Sequence, residues 1–173
     1  MKEIPLTKGR VALVDDEYYY YIRQFNWFIT KSGKGYAARK GEQYIDKDGK
    51  KKQSIIFMHR IIMNTPKNME VDHRNRIKTD NRKSNMRNCI HSENTRNRPG
   101  LEDATSQYKG VYIYKSKYNR NGEYRIKYYI RAKIAIDGKQ IHIGSFKTEE
   151  DAARAYNEAA KKYFGEYALL NEL

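Results

Sequence analysis

The sequence predicts an α+β fold in two modules: a strand-rich N-terminal module, and a three-stranded antiparallel sheet packed on one helix. Short apolar segments between turn-forming residues indicate strands over residues 1–57. Alternating apolar and polar residues indicate three further strands near the C-terminus, and alanines at helical spacing indicate the helix that covers them. Proline, glycine and small polar residues at 99–106 indicate a linker between the modules.

The N-terminal module begins with short strands and two short helices. Asp15-Asp16 can cap the first helix, which we expect to end at Gln24, and residues 59–63 form the second. A helix over 84–97, with a brief extended interruption at 89–90, is expected to close the module. The predicted strands are 4–6, 11–14, 33–38, 55–58 and 69–73, with a turn at Asp48-Gly49.

The C-terminal module gives the clearer signals. Alternation predicts strands over 110–115, 128–136 and 139–146, and Asp137-Gly138 favours a tight hairpin between the last two. A capping box at Thr148 predicts the start of the helix, which a glycine ends. The helix residues expected to face the sheet are Ala152, Ala155, Tyr156, Ala159 and Tyr163.

Composition indicates a polyanionic partner. Lys and Arg number 35 against 21 Asp and Glu, so the formal net charge is +14. This excess favours nucleic acid, because neutralised phosphates release counterions. No membrane contact is expected, since the sequence has no signal-peptide core and no apolar run near the roughly 18 residues of a spanning helix. Cys89 is the single cysteine, which excludes an internal disulfide and a thiolate zinc cluster and favours a reducing cytosol.

The segment Val71–Asn94 places an acid, an imidazole and several amides within a basic stretch. Asp72 and His73 are adjacent near its start. Such a group can hold a divalent metal against a phosphate and activate a water. Only two acids accompany the bases that follow His73, which are Arg74, Arg76, Lys78, Arg82, Lys83, Arg87, Arg96 and Arg98.

These residue types suit phosphodiester hydrolysis, in which one divalent ion can bind both the non-bridging oxygen and the leaving 3′ oxygen. Magnesium prefers oxygen ligands, which a carboxylate at Asp72 and a side-chain carbonyl at Asn94 supply. His73 suits the base, because the ordinary pKa of histidine lies near neutrality. Neighbouring strand residues point to opposite faces. Asp72 and His73 therefore act on one phosphate only if the backbone bends there or the substrate reaches both.

The segment resembles the His-Asn-His (HNH) endonucleases of phage and intron-encoded homing enzymes, on the residues His59-Arg60, Val71-Asp72-His73, Asp80-Asn81-Arg82, Ser84-Asn85-Met86-Arg87 and Asn94. The resemblance covers 58–98 and implies an HNH module at 1–98 with a two-stranded ribbon and helix (a ββα-metal site). It implies Asp72 and Asn94 as ligands of one Mg²⁺ or Mn²⁺ ion and His73 as the general base. It also implies that Asn85 braces the loop, which makes His73, Asp72, Asn85 and Asn94 the catalytic set.

The resemblance leaves one metal ligand open. His91 lies three residues before Asn94, on the same face if the segment is helical, and is the competing ligand. Arg76-Ile77 stand where glycine-containing turns are frequent in the family. The resemblance further implies a phage-encoded monomer in the cytoplasm of a bacterial host, with double-stranded DNA as partner and no small-molecule cofactor. In this module the expected DNA contacts are His59, Arg60, Arg74, Arg82 and Arg87.

Alternation gives the C-terminal sheet two different faces. The apolar face, which can pack on the helix, carries Val111, Ile113, Ala132, Ile134, Ile136, Ile141 and Ile143. The opposite face carries Tyr112, Tyr114, Arg131, Lys133, Ala135, Gln140 and His142. Aromatic, cationic and amide groups on one face are suited to a DNA groove.

The C-terminal module resembles the plant Apetala/ethylene-response-factor DNA-binding domain, on the blocks Tyr108–Val111, Ile141–Phe146, Glu149–Tyr156 and Leu169–Asn171. The resemblance implies a domain at 107–173 whose sheet enters the major groove. Several arginines and tryptophans of the plant domains are absent here, so the plant target sequence does not transfer. The implied DNA-facing residues are Lys109, Tyr112, Tyr114, Arg131, Lys133, Gln140 and His142.

The preferred interpretation is a metal-dependent, homing-type endonuclease that hydrolyses phosphodiester bonds at a specific duplex DNA site. A non-cleaving DNA-binding regulator with an inactive nuclease fold is the alternative, and the presence of the whole catalytic set argues against it. An RNA-binding protein is a third possibility, because single-strand readers stack bases on aromatic side chains such as Tyr112 and Tyr114.

Overall fold

The computed structural model describes residues 1–30, 35–100 and 104–173. These residues form two compact units, Met1–Asn94 and Thr95–Leu173. Both are mixed α and β, and within the described residues the strands form four small sheets. This arrangement is compatible with the predicted α+β class. In the part of the chain that the structure describes, no helix is long and apolar enough to cross a membrane.

The first unit is built from three small sheets and short helices. Strands β1 and β2 form an antiparallel pair, β3, β4 and β5 form a sheet in that order, and β6 pairs with β7. A helix follows β2, another follows β5, and a third follows β7. In chain order the elements are β1 Lys2–Pro5, β2 Val11–Val14, α1 Asp16–Ile22, β3 Phe28–Ile29, β4 Ala37–Ile45, β5 Lys51–Phe57, α2 Met58–Ile62, β6 Glu70–His73, β7 Met86–Cys89 and α3 His91–Arg96, whose last two residues lie past the unit's limit at Asn94.

The β6–β7 ribbon is fixed on one side by the core of this unit. Val71 on β6 and Met86 on β7 are 6% and 3% exposed and pack in the same cluster as Ile22, Met58 and Ile62. Apolar burial of this kind contributes about 25 cal/mol per Å² of covered surface. The core therefore holds the ribbon, and with it the acid and imidazole at the end of β6.

The loop between β6 and β7 is tied to strand β2. Leu13 N donates to Thr79 O and Leu13 O accepts from Asn81 N, both at 2.8 Å. The Asp15 carboxylate accepts from Lys83 N at 2.7 Å. Asp15 was predicted to cap α1 through its side chain, but it makes no such bond and anchors the loop instead.

The predicted helix over 84–97 is wrong in its first half. Residues Met86–Cys89 form β7, whose register pairs Asp72 with Arg87 and His73 with Met86. Pairing with β6 and burial of Met86 outweigh the local helical preference. The predicted strands at 33–38 and 55–58 also differ from β4 and β5, which start at Ala37 and Lys51; residues 31–34 lie outside the described part of the chain.

The second unit is a three-stranded antiparallel sheet in the order β10-β9-β8, with one long helix. Its Asp137-Gly138 turn has φ of 49° and 77°, so the predicted tight hairpin is confirmed. Thr148 Oγ1 accepts from Asp151 N at 3.1 Å, so the predicted cap of α4 is confirmed as well. The elements are β8 Val111–Arg120, β9 Glu123–Ile136, β10 Lys139–Phe146 and α4 Glu149–Phe164.

Helix α4 packs on the sheet through a slightly different face than predicted. Tyr163 is 45% exposed, whereas Phe164 is 7% exposed and packs with Ile134. The buried residues of α4 lie along one side of the helix, and Phe164, four residues after the buried Ala160, lies on that same side. The residues of α4 buried in this way are Ala152, Ala153, Tyr156, Asn157, Ala160 and Phe164.

The backbone just before β8 packs closely against α4 and against the last residues of the chain. Gly110 has φ of 79°, and a Cβ there would lie 2.0 Å from the Tyr156 ring, so only glycine fits. Asn171 accepts from Lys109 N at 2.7 Å and donates to Lys109 O at 3.1 Å. Asn157 on α4 pairs with the backbone of Asn171 at 2.8 and 3.0 Å. Asn171 thereby fastens the last residues to both helix and sheet.

The predicted linker 99–106 is partly engaged by the second unit. Thr105 Oγ1 accepts from Ile113 N at 2.8 Å, and Ser106 Oγ donates to Glu149 Oε2 at 2.5 Å. Residues 101–103 lie outside the described residues. The domain limits 1–98 and 107–173 stay a prediction.

Candidate functional site

A buried ion pair crosses the β6–β7 ribbon. Arg87 donates to Asp72 Oδ2 from Nε at 2.9 Å and from Nη2 at 2.6 Å. Asp72 and Arg87 are 4% and 8% exposed. Removing one partner of such a pair costs about 3–5 kcal/mol, because the other charge is left buried. The predicted metal ligand Asp72 and the predicted DNA contact Arg87 are thus paired with each other.

His73 is buried beside Asp72, and its ring is held by Asn81. His73 Nε2 lies 3.2 Å from Asn81 Oδ1, and Asn81 is fully buried. An amide oxygen only accepts, so Nε2 carries the proton and Nδ1 is the basic nitrogen of the neutral ring. Burial lowers the pKa of His73, while Asn81, Asp72 and Asp80 act in the opposite direction. Because the net shift is downward, the ring is neutral at pH 7, as a general base requires.

His59 lies in an aromatic cluster around His73. Its ring stacks on Phe57 at 5.3 Å and lies 5.4 Å from the His73 ring and 5.0 Å from that of Tyr36. Burial, followed by the charges of His73 and Arg60, lowers the pKa of His59 to about 3. Within the described part of the chain, His59 Nδ1 is buried without a hydrogen-bond partner. His59 is thus placed as a neutral support for His73.

His59 is expected to make the protein sensitive to acid. Above pH 6.5 its ring is neutral in both the folded and the unfolded chain, so it contributes nothing to the pH dependence. Below pH 6.5 His59 binds a proton in the unfolded chain, whereas in the folded chain it stays neutral down to about pH 3. Stability should therefore fall by about 2 kcal/mol between pH 7 and pH 5 from this residue alone.

Urea unfolding at pH 7 and pH 5 measures this loss. The His59→Phe variant keeps an aromatic ring but cannot ionise, so its stability should fall by about 2 kcal/mol less over the same range. An equal loss in the two proteins would show that His59 is protonated as easily when folded as when unfolded.

Two predicted DNA contacts in this unit differ in their surroundings. Arg60 donates to three main-chain carbonyls, those of Met69 at 2.8 Å, Thr65 at 3.3 Å and Pro66 at 2.8 Å. These bonds close the turn after α2, so Arg60 has a structural role. Arg74, in contrast, is exposed at the end of the ribbon, directly after His73. Arg74 is therefore the better placed of the two to meet a phosphate.

Asn85 braces the loop between the ribbon strands. Its Oδ1 accepts from Asn75 N at 3.1 Å, and its Nδ2 donates to Asn75 Oδ1 and Asp80 O, each at 2.9 Å. Asp80 in turn accepts from Arg82 at 2.7 and 2.6 Å. Arg76, where the family has frequent glycines, adopts the left-handed φ of 63°. The loop thus keeps a tight geometry without glycine, and Arg82 is bound to Asp80 rather than standing alone.

Glu70 is the residue of this site that the sequence reasoning missed. Its Oε1 lies 2.8 Å from His91 Nδ1, and its Oε2 accepts from Asn94 Nδ2 at 2.5 Å. Both competing candidates on α3 therefore meet the same carboxylate. Glu70 lies two positions before Asp72 on β6, so the two side chains share a face. That spacing was the only sequence signal for it.

The oxygen donors around the ribbon suit a hard cation. In the described residues, no group of three or more His, Cys, Asp and Glu side chains is close enough to form a metal cluster. Mg²⁺ commonly takes only one or two carboxylates and keeps several waters. Asp72 and Glu70 offer carboxylates. Asn94 donates to Glu70 through its amide nitrogen, so its carbonyl oxygen, the atom that a cation prefers, is not used in that bond. These residues fit a magnesium ion better than a soft metal.

The second unit brings the predicted DNA-facing residues to one side of its sheet. Tyr112 pairs with Arg131 across β8 and β9, and Lys133 pairs with His142 across β9 and β10. Lys133 Nζ lies 4.9 Å from the Tyr112 ring and donates to Gln140 Oε1 at 3.0 Å. Strand register therefore gathers cations, amides and aromatic rings on this face.

A row of alternating tyrosines and cations runs along this face. The Arg131 guanidinium lies 4.8 Å from the Tyr114 ring and 5.5 Å from the Tyr129 ring. Tyr129, which pairs with Tyr114, was missing from the predicted face. Lys109 was among the predicted DNA-facing residues, but its ammonium donates a hydrogen bond to Arg96 O at 2.5 Å. We call Tyr112, Tyr114, Tyr129, Arg131 and Lys133 the tyrosine–cation row.

Two known proteins are similar to this chain. An uncharacterized HNH endonuclease of Acanthamoeba polyphaga mimivirus is 27% identical over 168 residues, which are 96% of this chain and 77% of that protein. An AP2-like ethylene-responsive transcription factor of Arabidopsis thaliana is 37% identical over 76 residues, 44% of this chain but only 14% of that protein. No protein-family model and no solved structure matches the chain. Over nearly its whole length, the chain is thus a distant relative of a protein named as an HNH endonuclease, which supports a nuclease function in general.

Proposed function

We propose that this protein is a metal-dependent, homing-type endonuclease that cuts phosphodiester bonds at a specific site in duplex DNA. The observation that carries the proposal is the neutral, oriented imidazole of His73 next to the carboxylate of Asp72 on one buried ribbon. One divalent ion, Mg²⁺ or Mn²⁺, would be held by Asp72 and Asn94. When bound, it would stabilise the charge on the phosphate and on the leaving 3′ oxygen.

The residues of the ribbon perform the remaining steps. His73 Nδ1 takes the proton from the attacking water, and Asn81 holds the ring by Nε2 during the transfer. The imidazolium that forms is stabilised by Asp72 and Asp80, whose charges already favour its protonated form. Arg74 offers a cation to the phosphate beside this base. Asn85 maintains the loop that carries Asp80 and Asn81.

The test is cleavage of a random-sequence duplex library with Mg²⁺ or Mn²⁺, followed by mapping of the cut ends. We expect cuts at one preferred sequence, and none without a divalent ion. The Asp72–Arg87 pair favours one competing function, a non-cleaving DNA-binding regulator, because it already neutralises the proposed ligand. Tight, selective duplex binding without any cutting would establish that alternative, and preference for single-stranded RNA would contradict both.

We further propose that the tyrosine–cation row selects the target sequence. The Arg131 guanidinium contacts both the Tyr114 and the Tyr129 ring, and its Nε is buried without an acceptor in the described part of the chain. A guanidinium fixed in this way is suited to a bidentate contact with guanine. Arg131→Ala should therefore reduce discrimination between the mapped site and scrambled duplex by about 1–3 kcal/mol.

Competition binding at fixed salt measures the loss caused by Arg131→Ala. Lys147→Ala, which removes an exposed cation just after β10 and outside the predicted DNA-facing set, is the control for a general loss of charge. If Arg131→Ala weakened binding to both duplexes equally, the residue would be a backbone anchor and not a base reader.

A further inference from the structure

The hairpin of β8 and β9 extends beyond the three-stranded sheet. Strand β10 pairs with β9 from Ile136 only as far as Ile130. Beyond that point β8 and β9 continue as a two-stranded ribbon, from Lys115↔Tyr128 to Arg120↔Glu123. We call these residues, 115–128, the arm. The turn at its tip, Asn121-Gly122, has φ of 55° and 84°, the conformation of a two-residue hairpin.

The arm has two distinct faces. Residues opposite each other across the ribbon share a face, so Tyr118 lies with Arg125 and Ser116 lies with Lys127. This face continues the tyrosine–cation row, since Lys127 Nζ lies 5.0 Å from the Tyr129 ring that Arg131 also contacts. The opposite face carries Lys115, Lys117, Tyr124, Ile126 and Tyr128.

The charge of the arm indicates what it binds. The arm contains five bases and a single acid, Glu123. Its side chains from Lys117 to Tyr128 are all exposed. The contacts of Arg125 with Glu123 at 3.4 Å and of Lys127 with the Tyr129 ring at 5.0 Å lie at the surface, where solvent and a ligand also reach these cations. A polyanion is the partner that such a ribbon favours. The groove of duplex DNA also fits its shape, because the major groove admits a two-stranded β-ribbon.

We infer that the arm lies along duplex DNA beyond the sheet, with the face of Arg125 and Lys127 toward the phosphates. This inference rests on the proposed function, in which the sheet binds the duplex. Six residue pairs at about 3.3 Å each give roughly 20 Å of ribbon. At about 3.4 Å per base pair, the arm adds roughly six base pairs to the contacted length.

The salt dependence of binding separates the two faces of the arm. The variant Arg125→Ala/Lys127→Ala removes two charges from the proposed contact face, and Lys115→Ala/Lys117→Ala removes two from the opposite face. Each lost phosphate contact reduces the slope of log K against log salt by about 0.9. We expect the first variant to flatten the slope by nearly two, and the control by much less. Equal effects, or none in the first variant, would overturn the inference.

A shortened arm gives an independent measurement. Deleting 117–120 and 123–126 keeps the Asn121-Gly122 turn and joins it to the pair Ser116↔Lys127. We expect the footprint on the mapped site to lose about four base pairs on one side, while the position of the cut stays the same. An unchanged footprint would overturn the arm contact alone. Failure of the full chain to bind duplex DNA would instead overturn the proposed function, and this inference with it.

Discussion

The His73→Ala variant is expected to cut duplex DNA about 10²-fold more slowly, or slower still, while its affinity for the site stays nearly intact. The reason is that the variant loses the imidazole, held by Asn81 through Nε2, that is proposed to take the proton from the attacking water. Single-turnover cleavage measures the chemical step separately from binding and product release. Because burial lowers the pKa of His73, the wild-type rate should stay level down to about pH 6.5 and fall only in more acid solution.

The fold has to be checked in this variant, since alanine leaves a cavity beside Tyr36 and His59. His73→Gln fills more of that space and still lacks a base of suitable pKa, so it should be equally slow. Unchanged single-turnover cleavage in either folded variant would remove His73 from the mechanism. A slow His73→Ala with an active His73→Gln would show that the ring only supports packing.

The Asp72→Asn variant is expected to need at least about ten times more Mg²⁺ for half-maximal nicking of supercoiled plasmid, since it loses a carboxylate ligand. Asn94→Ala should raise the requirement in the same direction, and His91→Ala should raise it less. Glu70 contacts both His91 and Asn94, so each change also loosens α3. Titrations with magnesium and manganese measure the requirement. A larger shift for His91→Ala than for Asn94→Ala would make His91 the ligand.

Arg87→Met is the control that separates metal binding from folding. It breaks the buried pair as Asp72→Asn does, but it keeps the carboxylate. We expect it to lower stability by about 3–5 kcal/mol without raising the magnesium requirement. An increase as large as that of Asp72→Asn would mean that the pair acts only through the fold.

Local chemistry was sufficient to predict the last hairpin and the helix start of the second unit, but the predicted strands 110–115 and 128–136 stop short of β8, which ends at Arg120, and of β9, which begins at Glu123. The turn Asp137-Gly138 and the cap at Thr148 each depend on a few neighbouring residues, and both occur as predicted. The strand at 86–88 was mispredicted as helix because it depends on a partner strand that precedes it by more than ten residues. Such pairing is decided by burial and register, which local propensity does not report.

The candidate site shows a similar limit. Asp72, His73, Asn85 and Asn94 could be selected from residue type and spacing, but their contacts could not. The sequence does not show how far each base is exposed, or which ones bind carbonyl groups or a carboxylate inside the fold. Arg74, for example, is exposed, whereas Arg87 is buried. Among the predicted DNA contacts, several bind groups of their own unit, including Arg60, Arg82, Arg87, Lys109 and Lys133. Glu70 was missed because its importance comes from α3, which folds back onto β6.

The Asn121-Gly122 turn restricts the lengths that the β8–β9 hairpin can have. Residue pairs along an antiparallel ribbon alternate between hydrogen-bonded and non-hydrogen-bonded pairs, and a two-residue turn of this type closes only one of these kinds. Successive side chains on each strand point to opposite faces of the ribbon. Insertion or loss of one residue in each strand would move every cation between that point and the turn to the opposite face of the ribbon. The turn would then also close the other kind of strand pair. Steps of two residues per strand would preserve both. Homologues with the same hairpin should therefore differ in its length by multiples of four residues.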